Sequence, residues 1–419
     1  RIAWLLQTGQ ASVHSIMAVT FTNKAAKEMQ TRLGAMVPIN VRAMWLGTFH
    51  GLCHRFLRLH HRDAGLPSSF QILDSGDQLS LIKRLLKSLN IAEEIIAPRS
   101  LQGFINAQKE SGLRASVLSA PDPHTSRMIE CYAEYDKICQ REGVVDFAEL
   151  MLRSYEMLQS NEILRQHYQN RFNHILVDEF QDTSRMQYAN FLPLLENSLA
   201  SGKDCLIVGD AKQSIYRFRN SDSSLLTTSL PHDFDQQVQV HQLQDNWRSA
   251  PEIIAFNNAL YRRLPELLRS LFEAQWATAT ASGIDLGRIK AQLDTYLGQL
   301  IQAYADVEQT VPERSQGKTG QVVLHHYQKK KKAKDDEEEA GSEEGEDSDD
   351  SSELQDAISQ IPRVIIDLQK RGYKPSDIAI LVRAKKTATA VAEALMYYPE
   401  AEKEGYSLNF VSEEALLVS

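Results

Sequence analysis

Short apolar runs rich in valine, isoleucine and leucine recur along the first half of the chain and once more near its end. They are SIMAVTF (15–21), MWLGTF (44–49), HILVDEF (174–180), DCLIVGD (204–210) and IAILVR (378–383). Each is bounded by polar turn residues, as strands buried on both faces are. Helical periodicity follows several of them, in NKAAKEMQTRLGAM (23–36) after the first and SRMQYANFLPLLENSLA (184–200) after the third. Repeated strand-then-helix alternation predicts a parallel sheet covered by helices, an α/β core of the doubly wound kind.

Between residues 68 and 165 the strand signal gives way to amphipathic helices such as DQLSLIKRLLKSLN (77–90) and SRMIECYAEYDKICQREG (126–143). This predicts a helical insertion within a sheet domain made of 1–67 and 166–225. A second α/β region is expected from 226–264 and 354–419. A helix-prone stretch (265–328) and a charged tract (329–353) would interrupt it. The tract KKKKAKDDEEEAGSEEGEDSDDSSE is too charged to pack and reads as a disordered linker, with a DNA-mimicking regulatory arm as the alternative.

Composition sharpens this picture in three places. The formal charge of −9 would argue against an anionic partner, but residues 335–353 hold twelve acids and no base, and setting those twelve aside leaves +3. Four scattered cysteines without a CxxC pair indicate neither a disulfide framework nor a zinc ribbon. No uncharged apolar run reaches membrane-spanning length and the start lacks a signal-peptide pattern, so a soluble, intracellular protein with no membrane partner is expected.

Candidate chemistry gathers at strand ends. ILVDEFQDT (175–183) runs from an apolar strand into Asp178 and Glu179. Ligands of open α/β sheets bind at the carboxyl ends of strands, where one acid can hold Mg²⁺ and the other can deprotonate a water. The plainer alternative is that Asp178 only caps the next helix. LIVGDAKQSIYRFRNSD (206–222) offers Gln213 for a γ-phosphate. Its Tyr216, Arg217, Phe218 and Arg219 suit base stacking and phosphate pairing, unless the aromatics are core residues. His50, Cys53, His54 and His61 have helical spacing that suggests a metal, but no second cluster supports one.

Six stretches then occur in order: VTFTNKAAKEM (19–29), GTFHGLCHRF (47–56), VDFAELML (145–152), VDEFQDT (177–183), VGDAKQSIYRFR (208–219) and DNWRSAPEII (245–254). Together they resemble the ordered motifs of superfamily 1A helicases of the UvrD/Rep/PcrA kind, with RecB-like features in the second half. The resemblance implies a RecA-like motor domain with a helical insertion, followed by part of a second RecA-like domain. It also implies ATP with Mg²⁺ as cofactors, single-stranded DNA and duplex junctions as substrates, 3′-to-5′ polarity, and repair or recombination proteins as partners. Carried over by position, it makes Asp178 the Mg²⁺ ligand, Glu179 the base, Gln213 the sensor, Trp247 the adenine platform and Arg248 the arginine that reaches the γ-phosphate. Phe21, Thr22, Asn23, Thr48, Phe49 and His50, with Tyr216, Arg217, Phe218 and Arg219, would line the DNA track. Helix capping is the alternative for Thr22 and Asn23, and a surface position for Arg248.

No GxxxxGK[ST] loop, the usual phosphate cradle, occurs in the 419 residues. RIAWLL resembles the helix that follows that loop, so a truncation at each end is expected, with weak turnover by this chain. Two alternatives stay open: the helicase portion of a RecB-like ATP-dependent exonuclease subunit, and a non-catalytic single-stranded DNA-binding scaffold.

Overall fold

The computed structural model describes residues 1–411 apart from 39, 218–219, 282–286, 327–350 and 399–404. The chain divides into two compact units, Arg1–Thr319 and Gly320–Ser419.

Among the described residues six strands belong to the first unit: β1 (Ile16–Thr20), β2 (Trp45–Thr48), β3 (Gln71–Ile72), β4 (Val144–Val145), β5 (His174–Val177) and β6 (Cys205–Ile207). Four of them form an all-parallel sheet in the order β2-β1-β5-β6. Alternation along β1 explains the layering. Ile16 and Ala18 face a small core with Leu5, Leu33 and Leu46, while Met17 and Val19 face the main core with Trp45, Ile175 and Phe191. Both faces are therefore covered, as the continuous apolar runs require.

Seven helices flank the sheet or build the insertion: α1 (Ile2–Gln7), α2 (Asn23–Met36), α3 (Phe49–Leu59), α4 (Ser75–Ser88), α5 (Pro98–Glu110), α6 (Pro123–Glu142) and α7 (Phe147–Ser160). They are followed by α8 (Glu162–Arg171), α9 (Arg185–Ala200), α10 (Leu230–Phe234), α11 (Pro251–Ala281) and α12 (Gly287–Ala303). Helix starts are fixed by side-chain caps. Thr22 accepts from Ala25 N–H at 3.1 Å, Thr48 from Gly51 N–H at 3.2 Å, and Ser184 forms a reciprocal capping box with Gln187. The insertion has its own core, in which Leu81, Ile82, Leu101, Ile105, Tyr132 and Tyr135 interlock. It joins the sheet domain through β3 and β4, which pair in parallel as a two-residue neck.

Three expected boundaries shift. The insertion read over 68–165 loses its last part, because Leu150, Leu152, Leu158 and Leu164 of α7 and α8 bury in the main sheet core. The break at 225/226 also moves: Leu225, Leu230 and Phe234 pack into that same core. The break at 264/265 falls inside α11, which runs through Pro265 because the surrounding leucine, arginine and glutamate residues favour helix strongly enough to carry it past the missing N–H.

At the joint between insertion and sheet domain lies a buried charge cluster. Lys109 is 1% exposed, and its Nζ meets Asp146 at 2.8 Å, Glu149 at 2.9 Å and Asp136 at 3.1 Å. Arg114 holds Glu149 and Glu156, and Arg153 adds a third base on Glu149. Burial by itself would lower the Lys109 pKa, but Glu149, Asp146 and Asp136 more than offset it and raise the value well above the ordinary one.

Among the described residues the second unit has one helix pair, α13 (Ser351–Lys370) and α14 (Lys385–Met396), packed through Ile358, Ile365, Val391 and Leu395. IAILVR, expected as a strand, forms none. Leu381 is 96% exposed, and no neighbouring strand among the described residues offers the ladder an extended apolar segment needs. Most of the acidic tract lies outside the described residues, and its last three positions, 351–353, already belong to α13.

Candidate active site

The sheet order places a switch point between β1 and β5. From β1 the chain crosses through α2 to β2 on one side, and β5 lies on the other. A crevice at the carboxyl ends of β1 and β5 is where such sheets take ligands. Asp178 and Glu179 stand there. Asp178 N–H donates to Val19 O at 2.9 Å, and Phe180 N–H to Val208 O at 3.0 Å, so the turn is pinned to both adjacent strands. Between these anchors Glu179 adopts φ +54° and ψ +39°, a left-handed conformation that costs a non-glycine residue about 1–2 kcal/mol.

No lysine or arginine among the described residues forms an ion pair with Asp178 or Glu179. Two adjacent carboxylates, hard oxygen donors without a cationic partner, fit a magnesium ion. Glu179 Oε2 instead accepts from Thr20 Oγ1 at 3.0 Å.

Behind this pair, the β6 loop is tied to the β5 turn. Gln181 Oε1 accepts from Asp210 N–H at 3.1 Å, and Ser214 Oγ donates to Gln181 O. The approach needs Gly209, since a Cβ there would lie 3.0 Å from Gln181 Oε1 and 3.2 Å from its backbone nitrogen. Asp210 then organises the loop, pairing with Lys212 Nζ at 2.8 Å and accepting from Gln213 Nε2 at 3.0 Å. Gln213 is exposed beside the carboxylates' turn, so a bound phosphate would compete with Asp210 for its amide.

Asp182 is buried, with one carboxylate oxygen lacking any hydrogen-bond partner. Burial, then the charge of Glu179, push its pKa up to about 6 against the backbone N–H of Ile215. A folded-state value above the ordinary 3.8 means that the folded chain resists the charged form. The cost is complete above about pH 6 and is relieved as the pH falls toward 4. Asp182→Asn should therefore raise stability at pH 8 by about 1–2 kcal/mol, a discounted fraction of two units at 1.36 kcal/mol each. Urea midpoints at pH 8 and pH 4 check this, and an equal effect at both values would refute the cause.

The expected DNA-track residues separate into three groups. Phe21 and Tyr216 come together as a tilted ring pair with centroids 4.8 Å apart, across the ends of β1 and β6. Thr22 and Thr48 cap helices and Asn23 opens α2. Phe49 is buried against Phe191, so it supports the loop from inside the core, while His50 lies edge-on to the half-exposed Phe147 and burial lowers its pKa. Arg217 donates to the Tyr296 hydroxyl at 2.8 Å with its guanidinium over that ring. Phe218 and Arg219 lie outside the described residues.

Trp247 is 59% exposed and Arg248 is exposed. Asn246 Oδ1 accepts from Arg248 N–H and Ser249 N–H, and Lys318 Nζ donates to Trp247 O. No hydrogen bond or ion pair joins the Arg248 side chain to Asp178, Glu179 or Gln213 among the described residues. Lys318 belongs to a GKT triplet (317–319), but Pro312 stands where a phosphate loop needs glycine and no described strand leads into it. Of the suggested metal cluster, Cys53 has its thiol pushed up to about 12 by burial, and His54 accepts from Arg58 Nε at 3.0 Å. Sequence reasoning missed Thr20, Gln181 and Asp210, although all three lie within the quoted motifs.

A parallel sheet with two unpaired carboxylates at its switch point, tied to a glutamine-bearing loop, defines a RecA-like motor domain. Residues 1–235 match the family model described as UvrD/REP helicase N-terminal domain, and the chain belongs to that family. It is 47% identical over 261 residues to DNA helicase II of Escherichia coli, covering 62% of this chain and 35% of that protein. It is 43% identical over 265 residues to DNA helicase II of Haemophilus influenzae, covering 62% and 36%. With ATP-dependent DNA helicase PcrA of Staphylococcus epidermidis it shares 34% identity over 269 residues, covering 64% and 36%. The matched region thus spans about a third of the length of these curated relatives. No helix among the described residues is long and apolar enough to cross a membrane.

Proposed function

We propose that the chain is the nucleotide-hydrolysing and strand-tracking part of an ATP-dependent 3′-to-5′ DNA helicase acting on single-stranded DNA. The observation that carries this reading is the Asp178–Glu179 pair at the β1/β5 switch point, without a cationic partner among the described residues. Bound Mg-ATP supplies the γ-phosphoryl group and a cation that neutralises its developing charge. Asp178 would hold that cation through a carboxylate oxygen, and Glu179 would accept the proton of the attacking water. Gln213 exchanges its bond to Asp210 for one to the phosphate, which carries the news of hydrolysis to the loop bearing Tyr216. Trp247 and Arg248 belong to the beginning of a second motor domain that closes on the nucleotide.

The same loop supports the strand-tracking half of the reading. The Phe21–Tyr216 ring pair offers stacking that favours any base sequence equally, and Lys24 and Arg217, close to those rings in sequence, are the basic groups proposed for phosphate pairing. Fluorescence anisotropy with mixed-sequence oligonucleotides tests it. The expected result is binding that is insensitive to sequence, falls steeply with salt, and weakens by about 1–3 kcal/mol in Tyr216→Ala. Absence of single-strand binding at low salt would sink the proposal.

A further inference from the structure

Thr20 ends β1 with its side chain fully buried (0% exposed). The four residues before it, Ile16 to Val19, are all apolar and buried, so valine would fill the same space. The hydroxyl has a specific use: Oγ1 donates to Glu179 Oε2 at 3.0 Å, across 159 residues of sequence. The backbone around Glu179 is already fixed by Asp178 N–H on Val19 O, by Phe180 N–H on Val208 O, and by its own left-handed conformation. What remains free is the side-chain torsions. A donor on one carboxylate oxygen removes that freedom, and the other oxygen, Oε1, is left to take a proton from water.

We propose that Thr20 is a positioning residue for ATP hydrolysis, holding the Glu179 carboxylate in one rotamer with Oε1 presented to the crevice. This rests on the reading of Glu179 as the base. It also links strand tracking to hydrolysis, because Phe21, the ring paired with Tyr216, is the next residue along. A shift of the β1 end on strand binding would move the Thr20 hydroxyl and the carboxylate it holds.

Thr20→Val keeps the shape and deletes the donor, whereas Thr20→Ser keeps the donor. In single-strand-stimulated Mg-ATP hydrolysis by the full chain, Thr20→Val is expected to lower kcat by about ten- to a hundredfold, the scale of a misplaced reacting group. KM for ATP and affinity for single strands should stay within about twofold, and Thr20→Ser should recover most of the lost rate. Added to Glu179→Gln, Thr20→Val should cost nothing further. Turnover by Thr20→Val equal to the unmodified chain, with Glu179→Gln inactive, would overturn the positioning role and leave the function reading intact. Normal turnover by Glu179→Gln would instead remove the function reading itself. A denaturation cycle of Thr20→Val, Glu179→Ala and the double variant reads the contact without turnover. The expected coupling is about tenfold in the unfolding constant, and additivity would overturn the inference.

Discussion

Lys109→Ala is expected to destabilise the first unit by about 3–5 kcal/mol, the cost of breaking a buried ion pair by removing one partner. The size follows from what stays behind. Asp146 is 2% exposed and keeps the Tyr135 hydroxyl at 2.8 Å and Glu149 N–H at 2.7 Å, but among the described residues it loses the one base paired with it. Glu149 fares better, since Arg114 and Arg153 remain on it. The damage is therefore an uncompensated charge at Asp146, and Lys109→Ala with Asp146→Asn should recover much of the loss. Urea unfolding of the two variants decides it, and a loss below about 1 kcal/mol for the single change would show that the cluster is solvated in solution. Acid acts on the same joint. Burial would raise the Glu149 pKa, yet Lys109, Arg114 and Arg153 hold it well below the carboxylate range. Its contribution is complete above about pH 4.5 and is lost as the pH falls toward the folded-state value.

Glu179→Gln is expected to lower single-strand-stimulated ATP hydrolysis by about 10²–10⁴-fold, the usual contribution of a positioned general base. The amide matches the carboxylate in shape and can still accept from Thr20, so neither the fold nor strand binding should change. What it cannot do is take a proton. Release of labelled phosphate is the sensitive measurement, with anisotropy on the same samples. Equal rates for the two proteins would mean that another group serves as base and that Glu179 has a structural role at the switch point.

Much of the first unit was legible because its signals are local. Continuous apolar runs such as Ile16–Thr20 and His174–Val177 became parallel strands, and Thr22, Thr48 and Ser184 ended up at the caps that begin the following helices. The motifs place Asp178, Glu179 and Gln213, whose roles are proposed above, at one edge of the sheet. Less readable were features whose partners lie far apart along the chain. Lys109 meets Asp146 from 37 residues away, so VDFAELML gave no hint that its Asp146 and Glu149 are buried in a charge cluster. Thr20 reads as the polar end of a strand until β5 brings Glu179 beside it. Two-residue strands such as β3 and β4 are too short to show periodicity. IAILVR failed in the opposite sense: its composition suits a strand, but composition cannot supply neighbours.

The neck formed by β3 and β4 also bears on the order in which the chain assembles. The β1–β5 ladder joins Ile16 to His174, a very distant closure, whereas the insertion's core is made of helices that meet over shorter separations. Local contacts form early and distant pairings late. Once Gln71 is hydrogen-bonded to Gly143, about seventy residues drop out of the loop that the sheet still has to close, which lowers its entropic cost by only about 0.5 kcal/mol because that cost grows logarithmically. The larger gain is kinetic. The neck delivers α7, which carries apolar residues for the main core, already oriented beside the place where β5 must dock. The topology thus favours a nucleus of helices that recruits the sheet, and the motor's crevice is the last part of the unit to take shape.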